Sequence, residues 1–423
     1  MQPFRQYRNY YLTLIALFVL TVLEILCQVA WYKIFDPGAV SLFYMLFGLL
    51  IGIIPLIKVE RPLPSEKSPK VHKIAWGISA LMFLYLLGRT LMMSKRMVDG
   101  TPVDYRLADM LPIMQIMSER YINGRDVYAI IPEIWGGMLP IYLPTMWMPY
   151  IPSVIWHFDP RWITVFFLVA CTALIMLIPA GKKRFTWGSL FILLPAYLMF
   201  DNFLYWDKSL ITLTDEGVVV GFYVFLAWAI WLGNPWVLGI ALTLSILSRV
   251  SYVNWIPFYA IFVWLFESRR KAIQVAITAI SLGVFLMWNS TALWHLDIFL
   301  DLPRRYLEAV MNTEHYEKTL RSGIVATVGL AKFFRQEYFP LLLRASYFTT
   351  IVAPLTCLIL FWRFRRHMDA KLFGIASLKI TLVFFFNLLI LPQSNLFYTS
   401  GFLSLAILAF YAQERPKPVK IFE

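Results

Sequence analysis

The residues of this chain that could carry chemistry are carboxylates that stand between long apolar runs. They fall in three segments: Asp99, Asp104, Asp109, Glu119, Asp126, Glu133 and Asp159 in the first, Asp201, Asp207, Asp215 and Glu216 in the second, and Asp297 and Asp301 in the third. A carboxylate close to an attacking hydroxyl group can accept its proton, so each is a candidate general base. Most loop carboxylates are only solvated charges, and position along the chain must therefore select among them.

Position favours Asp109, with Asp104 as the alternative. Residues 106–121 carry apolar side chains at helical spacing, which predicts an amphipathic helix at an interface. Asp109 lies near the beginning of this stretch, and an aromatic, proline-rich run at 139–152 follows it.

The elements that must position these residues are membrane-spanning helices. Of the 423 residues, 60% are hydrophobic and 15% are charged, whereas soluble domains average roughly 45–50% and about 25%. A bilayer core near 30 Å requires about 20 apolar residues per helix. The predicted spans are 10–34, 39–57, 73–93, 161–180, 186–204, 217–232, 235–248, 252–266, 272–290, 346–362, 372–391 and 396–412. The fold predicted is an all-α polytopic membrane protein, one domain over residues 1–423 with about 12 transmembrane helices.

The basic residues orient these helices. They occur in short bursts: Arg5 and Arg8, 58–73, 182–184, 269–271, 363–371, and Lys417 and Lys420. Cytoplasmic loops are enriched in Lys and Arg, and a cytoplasmic N-terminus puts every burst on that side. This predicts that both termini are cytoplasmic. The first apolar run has no signal-peptide cleavage pattern and is predicted to be a retained span.

Two long segments then lie outside the cytoplasm, at 94–160 and 291–345. The first contains the amphipathic stretch with Asp109 and is predicted to be the catalytic loop. The second contains a similar apolar pattern at 331–347, where Pro340 is expected to break the helix.

Several functional classes are disfavoured. The net charge of +13 is distributed in bursts between spans and forms no stripe, which argues against a nucleic-acid partner. Cys27, Cys171 and Cys357 are far apart in apolar runs, with neither metal-ligand spacing nor a disulfide framework. No cofactor or metal is expected, and the absence of a Walker loop argues against nucleotide-driven transport.

A more specific interpretation comes from the order of residues in the first long loop. Asp109 is followed by Gly124, Tyr128 and then Tyr142-Leu143-Pro144. This order resembles the first extracytoplasmic loop of GT-C glycosyltransferases that use polyprenyl-phosphate sugars, especially the branch that depends on polyprenyl-phosphate mannose. One departure from the family pattern leaves the choice between Asp109 and Asp104 open. The aromatic residue expected after the catalytic Asp is Tyr105, which follows Asp104, whereas Asp109 is followed by Met110.

The resemblance continues over residues 215–271. A helix pair with a tight turn at 233–235 is followed by a single basic residue, Arg249, and by Pro257 in the next span. The second departure lies at the start of this pair, where 214–217 reads Thr-Asp-Glu-Gly in place of a Gly-Gln-Asn-like signature, which leaves the donor open.

The resemblance implies an inverting transfer of a mannose-like hexose or a pentose from a polyprenyl-phosphate donor to a glycan or glycolipid acceptor outside the cytoplasm. Asp109 or Asp104 would be the base, and Arg249, helped by Arg304 and Arg305, would hold the donor phosphate. Substrate-binding roles are expected for Tyr128, Tyr142, Asp215 and Trp206. Membrane lipid is the remaining partner. Arg249 has an alternative role without phosphate binding, because an arginine near the membrane interface can also extend its charged group to water.

Two other functions stay open. A secondary transporter or flippase for a lipid-linked sugar would need ionisable residues at mid-bilayer, and Glu24 is a candidate, although a polar contact between helices also explains it. A polymerase or ligase of lipid-linked glycans would use a diphosphate donor. The compact loops favour the plasma (inner) membrane of a bacterium.

Overall fold

A computed structural model describes residues 8–29, 34–59, 69–134, 136–177, 187–312, 327–390 and 394–413. Within these ranges the chain forms helices and no β-strand. The α-helices are α1 (Arg8–Val29), α2 (Pro37–Ile53), α3 (Pro69–Gly100), α4 (Met110–Ile122), α5 (Pro144–Trp147), α6 (Ile151–Ile155), α7 (Arg161–Met176), α8 (Leu193–Asp201), α9 (Ser209–Thr212), α10 (Glu216–Leu232), α11 (Pro235–Ile246), α12 (Trp255–Phe262), α13 (Arg269–Asn289), α14 (Leu296–Met311), α15 (Phe339–Phe364), α16 (Ala370–Leu388) and α17 (Phe397–Tyr411).

Seven of the described helical segments are long and apolar enough to cross a membrane. They are Arg8–Gln28, Pro37–Leu56, Lys73–Gly100, Gly188–Trp206, Arg269–Asn289, Gln336–Phe364 and Ala370–Leu388. The expected all-helical protein with several membrane-spanning segments is confirmed at this level. The other five predicted spans coincide with shorter apolar helices, namely α7, α10, α11, α12 with its continuation to Glu267, and α17. A total of twelve spans therefore stays a prediction.

Two helices that flank the predicted long loops have other ends than expected. Helix α3 continues to Gly100, beyond residue 93, where its span was predicted to end. Helix α15 begins at Phe339 and not near 346, and Pro340 lies in its first turn. A proline there costs no hydrogen bond, because the first N–H groups of a helix have no intrahelical acceptor. The expected amphipathic helix at 331–347 was therefore wrong, and the amphipathic helix of this loop is α14.

The interior of the bundle is built around α10, α16 and α17. Nearly every residue of α10 and all residues of α17 are buried. Glycine allows close approach at the start of α10, where a Cβ atom on Gly217 would overlap the methyl group of Thr164 on α7. Helix α13, in contrast, buries no residue although it is apolar, as a lipid-facing helix should.

Contacts group the loops at two opposite ends of the bundle. At one end, the Tyr10 hydroxyl donates to the Ala412 carbonyl at 3.1 Å, and the Asp369 N–H donates to the Leu56 carbonyl at 3.0 Å. At the other, the Leu330 N–H donates to the Asn387 carbonyl at 2.8 Å. Segments predicted to share a side of the membrane thus lie together. The basic residues at 182–184 and Arg5, Lys417 and Lys420 lie outside the described residues.

A buried ion pair joins helices that are distant in sequence. Lys379 Nζ on α16 donates to Glu24 Oε1 on α1 at 2.5 Å, and both side chains are fully buried. Ser400 and Ser404 of α17 complete the cluster, because Lys379 donates to Ser400 Oγ at 2.6 Å and Ser404 donates to Glu24 Oε2 at 2.5 Å. The polar contact between helices expected for Glu24 is present.

Candidate functional site

The two candidate bases in the first loop have different surroundings. The Asp104 carboxylate accepts the Arg106 N–H at 2.9 Å, and its carbonyl accepts the N–H groups of Leu107 and Ala108. Asp104 therefore stabilises a local turn, as Asp residues often do.

Asp109 lies at the position before the first turn of α4, and its side chain is half-buried. It interacts electrostatically with Tyr142 of the proline-rich run and with Asp215. The structure thus places Asp109 near the start of the helix pair α10 and α11, which is distant from it in sequence.

Asp215 is more deeply buried than Asp104 and Asp109. It stands immediately before α10, is fully buried, and accepts no hydrogen bond from another described residue at either oxygen. Burial raises the pKa of Asp215 to about 6; the positive charge of Arg249 opposes the rise and the negative charge of Asp109 adds to it. Two carboxylates in one buried site disfavour each other's charged form, so a partner is required that donates hydrogen bonds or carries positive charge.

Arg249 supplies the positive charge of the cluster. It occupies an extended bend between α11 and α12, where its carbonyl accepts the Tyr223 hydroxyl at 3.2 Å. Its guanidinium forms an ion pair with Glu216, whose side chain is 1% exposed against 20% for that of Arg249. Arg249 Nε and Glu216 Oε2 are buried and make no hydrogen bond with the described residues. The ion pair with Glu216 therefore holds the guanidinium in place, and one-fifth of the Arg249 side chain stays exposed.

The tyrosines of the first loop have distinct roles. Tyr142 is half-buried and interacts electrostatically with Asp215, Asp109 and Arg249. Tyr128 lies behind it, because the Tyr128 hydroxyl donates to the Tyr142 carbonyl at 3.2 Å and accepts from Trp147 Nε1 at 3.4 Å. The ring of Tyr128 is 1% exposed. Of the two tyrosines expected to bind substrate, Tyr142 faces the cluster and Tyr128 supports its backbone.

Helix α14 reaches this cluster through Tyr306. Near its beginning, His295 Nε2 lies 3.2 Å from Asp126 Oδ1, and the Phe299 ring packs edge-on against Tyr128 with centroids 5.5 Å apart. Near its end, Gln336 Nε2 donates to the Val310 carbonyl at 2.8 Å. Between these contacts, Tyr306 interacts electrostatically with Arg249.

The two arginines of α14 that were expected to assist Arg249 are engaged elsewhere. Arg304 Nε donates to Asp301 Oδ1 at 2.6 Å, and Arg305 Nε donates to Asp301 Oδ2 at 2.9 Å. These hydrogen bonds lower the pKa of Asp301 to about 2. Both guanidinium groups are exposed, so they lie on the outer surface of α14.

Trp206 belongs to a further cluster. Its Nε1 donates to Asp201 Oδ2 at 3.3 Å, and Arg89 of α3 pairs with Asp201 Oδ1 at 2.6 Å. The Arg89 guanidinium also lies 4.5 Å from the Tyr205 ring centroid. These contacts tie Trp206 to the membrane helices α3 and α8, so nothing in them joins it to Arg249.

A cavity of about 960 Å³ opens at the end of the bundle that carries Asp109. Its walls are the end of α3, the middle of α4 and the segment 153–161. Polar side chains on these walls are Asp99, Thr101, Gln115, Glu119, Ser153, His157, Asp159 and Arg161. A narrow second cleft shares Pro102 and Val103 with the cavity and is also lined by Asp104, Thr212 and Leu213.

No protein-family model, curated protein or solved structure matches this chain. Within the described residues no three His, Cys, Asp or Glu side chains form a group that could hold a metal ion. Of the residues expected from sequence, Asp109, Tyr142, Asp215 and Arg249 come together.

Sequence reasoning missed the partner of Arg249. Glu216 was visible only as a carboxylate beside an apolar run. The signal that could have found it is its place at one end of a helix pair whose other end carries Arg249. Tyr306 was missed because it lies on α14, which is distant in sequence from Arg249.

Proposed function

We propose that this protein is an inverting glycosyltransferase of the GT-C type that moves a mannose-like hexose or a pentose from a polyprenyl-phosphate donor to an acceptor outside the cytoplasm. The observation that carries this proposal is the meeting of Asp109, Tyr142, Asp215 and Arg249 at one end of an apolar helix bundle. A polyprenyl tail lies in the bilayer, so the phosphate-sugar head of such a donor is presented at a membrane surface.

Arg249 binds the donor phosphate. Its ion pair with Glu216 fixes the guanidinium, and the side chain, which is 20% exposed, donates hydrogen bonds to a phosphate oxygen. As the bond between the anomeric carbon and the phosphate oxygen breaks, its electron pair passes to that oxygen, and the positive charge of Arg249 stabilises the developing anion.

Asp109 acts as the general base. The hydroxyl oxygen of the acceptor attacks the anomeric carbon from the side opposite the phosphate, and its proton passes to the Asp109 carboxylate. The products are the glycosylated acceptor and the polyprenyl phosphate. Asp109 suits this role better than Asp104. The Asp104 carboxylate accepts a hydrogen bond within its own turn, whereas Asp109 lies near Tyr142, which also interacts with Arg249.

Twelve spans, cytoplasmic termini and a bacterial inner membrane belong to the same proposal. Its support is the segregation of basic loops from the carboxylate site along the chain. In this orientation the site faces away from the cytoplasm, where a lipid-linked sugar would meet its acceptor.

One observation favours a second candidate function. The fully buried Glu24–Lys379 pair lies inside the bundle, and intramembrane ion pairs are typical of transporters as well as of interhelical contacts. A transporter or flippase would move a lipid-linked sugar without forming a glycosidic bond.

The test uses the purified protein in liposomes with a short-chain polyprenyl-phosphate mannose and a mannose-oligosaccharide acceptor. Product formation that is abolished by Asp109→Asn and retained by Asp104→Asn supports the proposal. Full activity in both variants contradicts it. Flux of the lipid-linked sugar without product would instead support a transporter, and activity only with a diphosphate donor would support a glycan polymerase or ligase.

A further inference from the structure

Hydrogen bonds and an ion pair hold the walls of the cavity of about 960 Å³ beside α4 in place. Arg161, which is 2% exposed, donates to the carbonyl groups of Thr101 at 2.6 Å and Val98 at 3.0 Å. Arg161 also forms an ion pair with Asp159 at 2.6 Å. The end of α3 is thereby fixed to the start of α7, and the opposite wall is fixed where Ser118 of α4 donates to the Trp147 carbonyl at 3.3 Å.

The charges that remain on the walls are negative. Asp159 is neutralised by Arg161, whereas Asp99 and Glu119 are exposed and form no ion pair with the described residues. Carboxylates accept hydrogen bonds and donate none when ionised. The cavity therefore favours ligands rich in hydroxyl or ammonium donors, and it disfavours anions.

The cavity and the candidate base share a helix. Asp109 stands just before α4, and Gln115 and Glu119 face the cavity about two and about three turns further on. At a rise of about 1.5 Å per residue, Gln115 is about 9 Å along the helix axis from Asp109. A separate cleft of about 10 Å³ is lined by Pro102 and Val103, which also line the cavity, and by Ala108 and Leu111, which lie on either side of Asp109 in sequence.

We propose that this cavity is the acceptor subsite and that it takes a neutral or amino-substituted oligosaccharide whose terminal hydroxyl extends to Asp109. The size fits this occupant, since small-molecule sites measure about 300–1,000 Å³. Phe158 and Val154 offer apolar surface to sugar faces, while Asp99, Gln115 and Glu119 accept or exchange hydrogen bonds with hydroxyl groups. This inference rests on the proposed glycosyl transfer, because it assigns the second substrate of the same site.

Binding without turnover tests the cavity separately from the reaction. The probes are mannotriose and trigalacturonic acid, titrated into the purified full chain in detergent and followed by saturation-transfer NMR. Mannotriose should bind, trigalacturonic acid should not, and the Asp99→Asn/Glu119→Gln double variant should weaken mannotriose binding about tenfold, as expected when charge-assisted hydrogen bonds become neutral ones. Glu133→Gln, which removes an exposed carboxylate of the same loop outside the cavity, is the matched control and should bind as the wild type does.

A variant that fills the cavity tests the same site without changing its charge. Gln115→Trp should fill the cavity, abolish mannotriose binding and raise the acceptor KM, with an unchanged affinity for the polyprenyl-phosphate donor and an unchanged thermal midpoint. The inference is overturned if mannotriose fails to bind the wild type, or if both cavity variants bind it normally. If binding follows these expectations but the wild type forms no product, the glycosyl-transfer proposal fails and the cavity remains a sugar-binding site.

Discussion

Glu216 and Arg249, which are 33 residues apart in sequence, form an ion pair between the first turn of α10 and the bend that follows α11. The carboxylate is nearly inaccessible and the guanidinium is one-fifth exposed. The pair therefore presents a fixed cation at the edge of the bundle.

Loss of Glu216 should destabilise the protein and inactivate it. Breaking a buried ion pair leaves an uncompensated charge, which costs about 3–5 kcal/mol. Glu216→Ala is expected to lower the thermal midpoint in detergent and to abolish transfer. Glu216→Met/Arg249→Met should recover most of the midpoint but no activity. A double variant as unstable as the single one would argue against a simple buried pair.

Asp215 should make stability depend on pH. Its pKa is raised from 3.8 to about 6 in the folded protein, so the folded state binds the proton more tightly than the unfolded state does. Its contribution is present below about pH 4 and is lost as the pH rises through 6. Asp215→Asn should therefore raise the thermal midpoint at pH 7.5 more than at pH 4.5. An equal change at both pH values would show that Asp215 is not buried in its acidic form.

Gly217 should tolerate no side chain unless its neighbour is trimmed. A Cβ atom would overlap Thr164 Cγ2, and overpacking of this kind costs about 1–3 kcal/mol. Gly217→Ala is expected to displace Asp215 and Glu216 and to lower kcat. Adding Thr164→Ser removes the methyl group and keeps the hydroxyl that bonds Tyr150 at 3.0 Å. Partial recovery of the rate in the double variant is the expected result; no recovery would place the strain elsewhere.

The Glu24–Lys379 pair separates the two candidate functions. Lys379→Met should destabilise the protein by about 3–5 kcal/mol, since Glu24 would be left buried and unpaired. Glu24→Leu/Lys379→Met should restore stability. For a glycosyltransferase, the double variant should also keep its transfer rate; for a transporter, it should remain inactive in liposome flux despite normal folding.

The outer arginines of α14 offer a control for the role of Arg249. Because Arg304 and Arg305 pair with Asp301 on the exposed surface, Arg304→Gln/Arg305→Gln should change the donor KM less than threefold. Arg249→Gln should raise it at least tenfold, the loss expected for a charge-assisted phosphate contact. Equal effects of the two variants would contradict the assignment of the phosphate site to Arg249.

Some residues of the site could be predicted from their type and their position in the sequence. Asp109 could be favoured over other acids because it begins an amphipathic helix, and Arg249 because it is an isolated cation beside an apolar run. Trp206 and the two arginines of α14 had equally suitable residue types, yet their partners are Asp201 and Asp301. Residue type alone cannot separate these cases, because hydrogen bonding within three to five residues competes with long-range contacts.

Local patterns in the sequence determined the helical, membrane-embedded character of this chain. Apolar length and the spacing of charges act over one helix at a time, so they can be recognised without a fold. The tertiary structure alone decided that Glu216 faces Arg249, that Asp104 is used in a turn and that Tyr306 of α14 lies near Arg249. Those relationships depend on packing between helices that are distant in sequence, and packing is set by shape complementarity of the whole bundle.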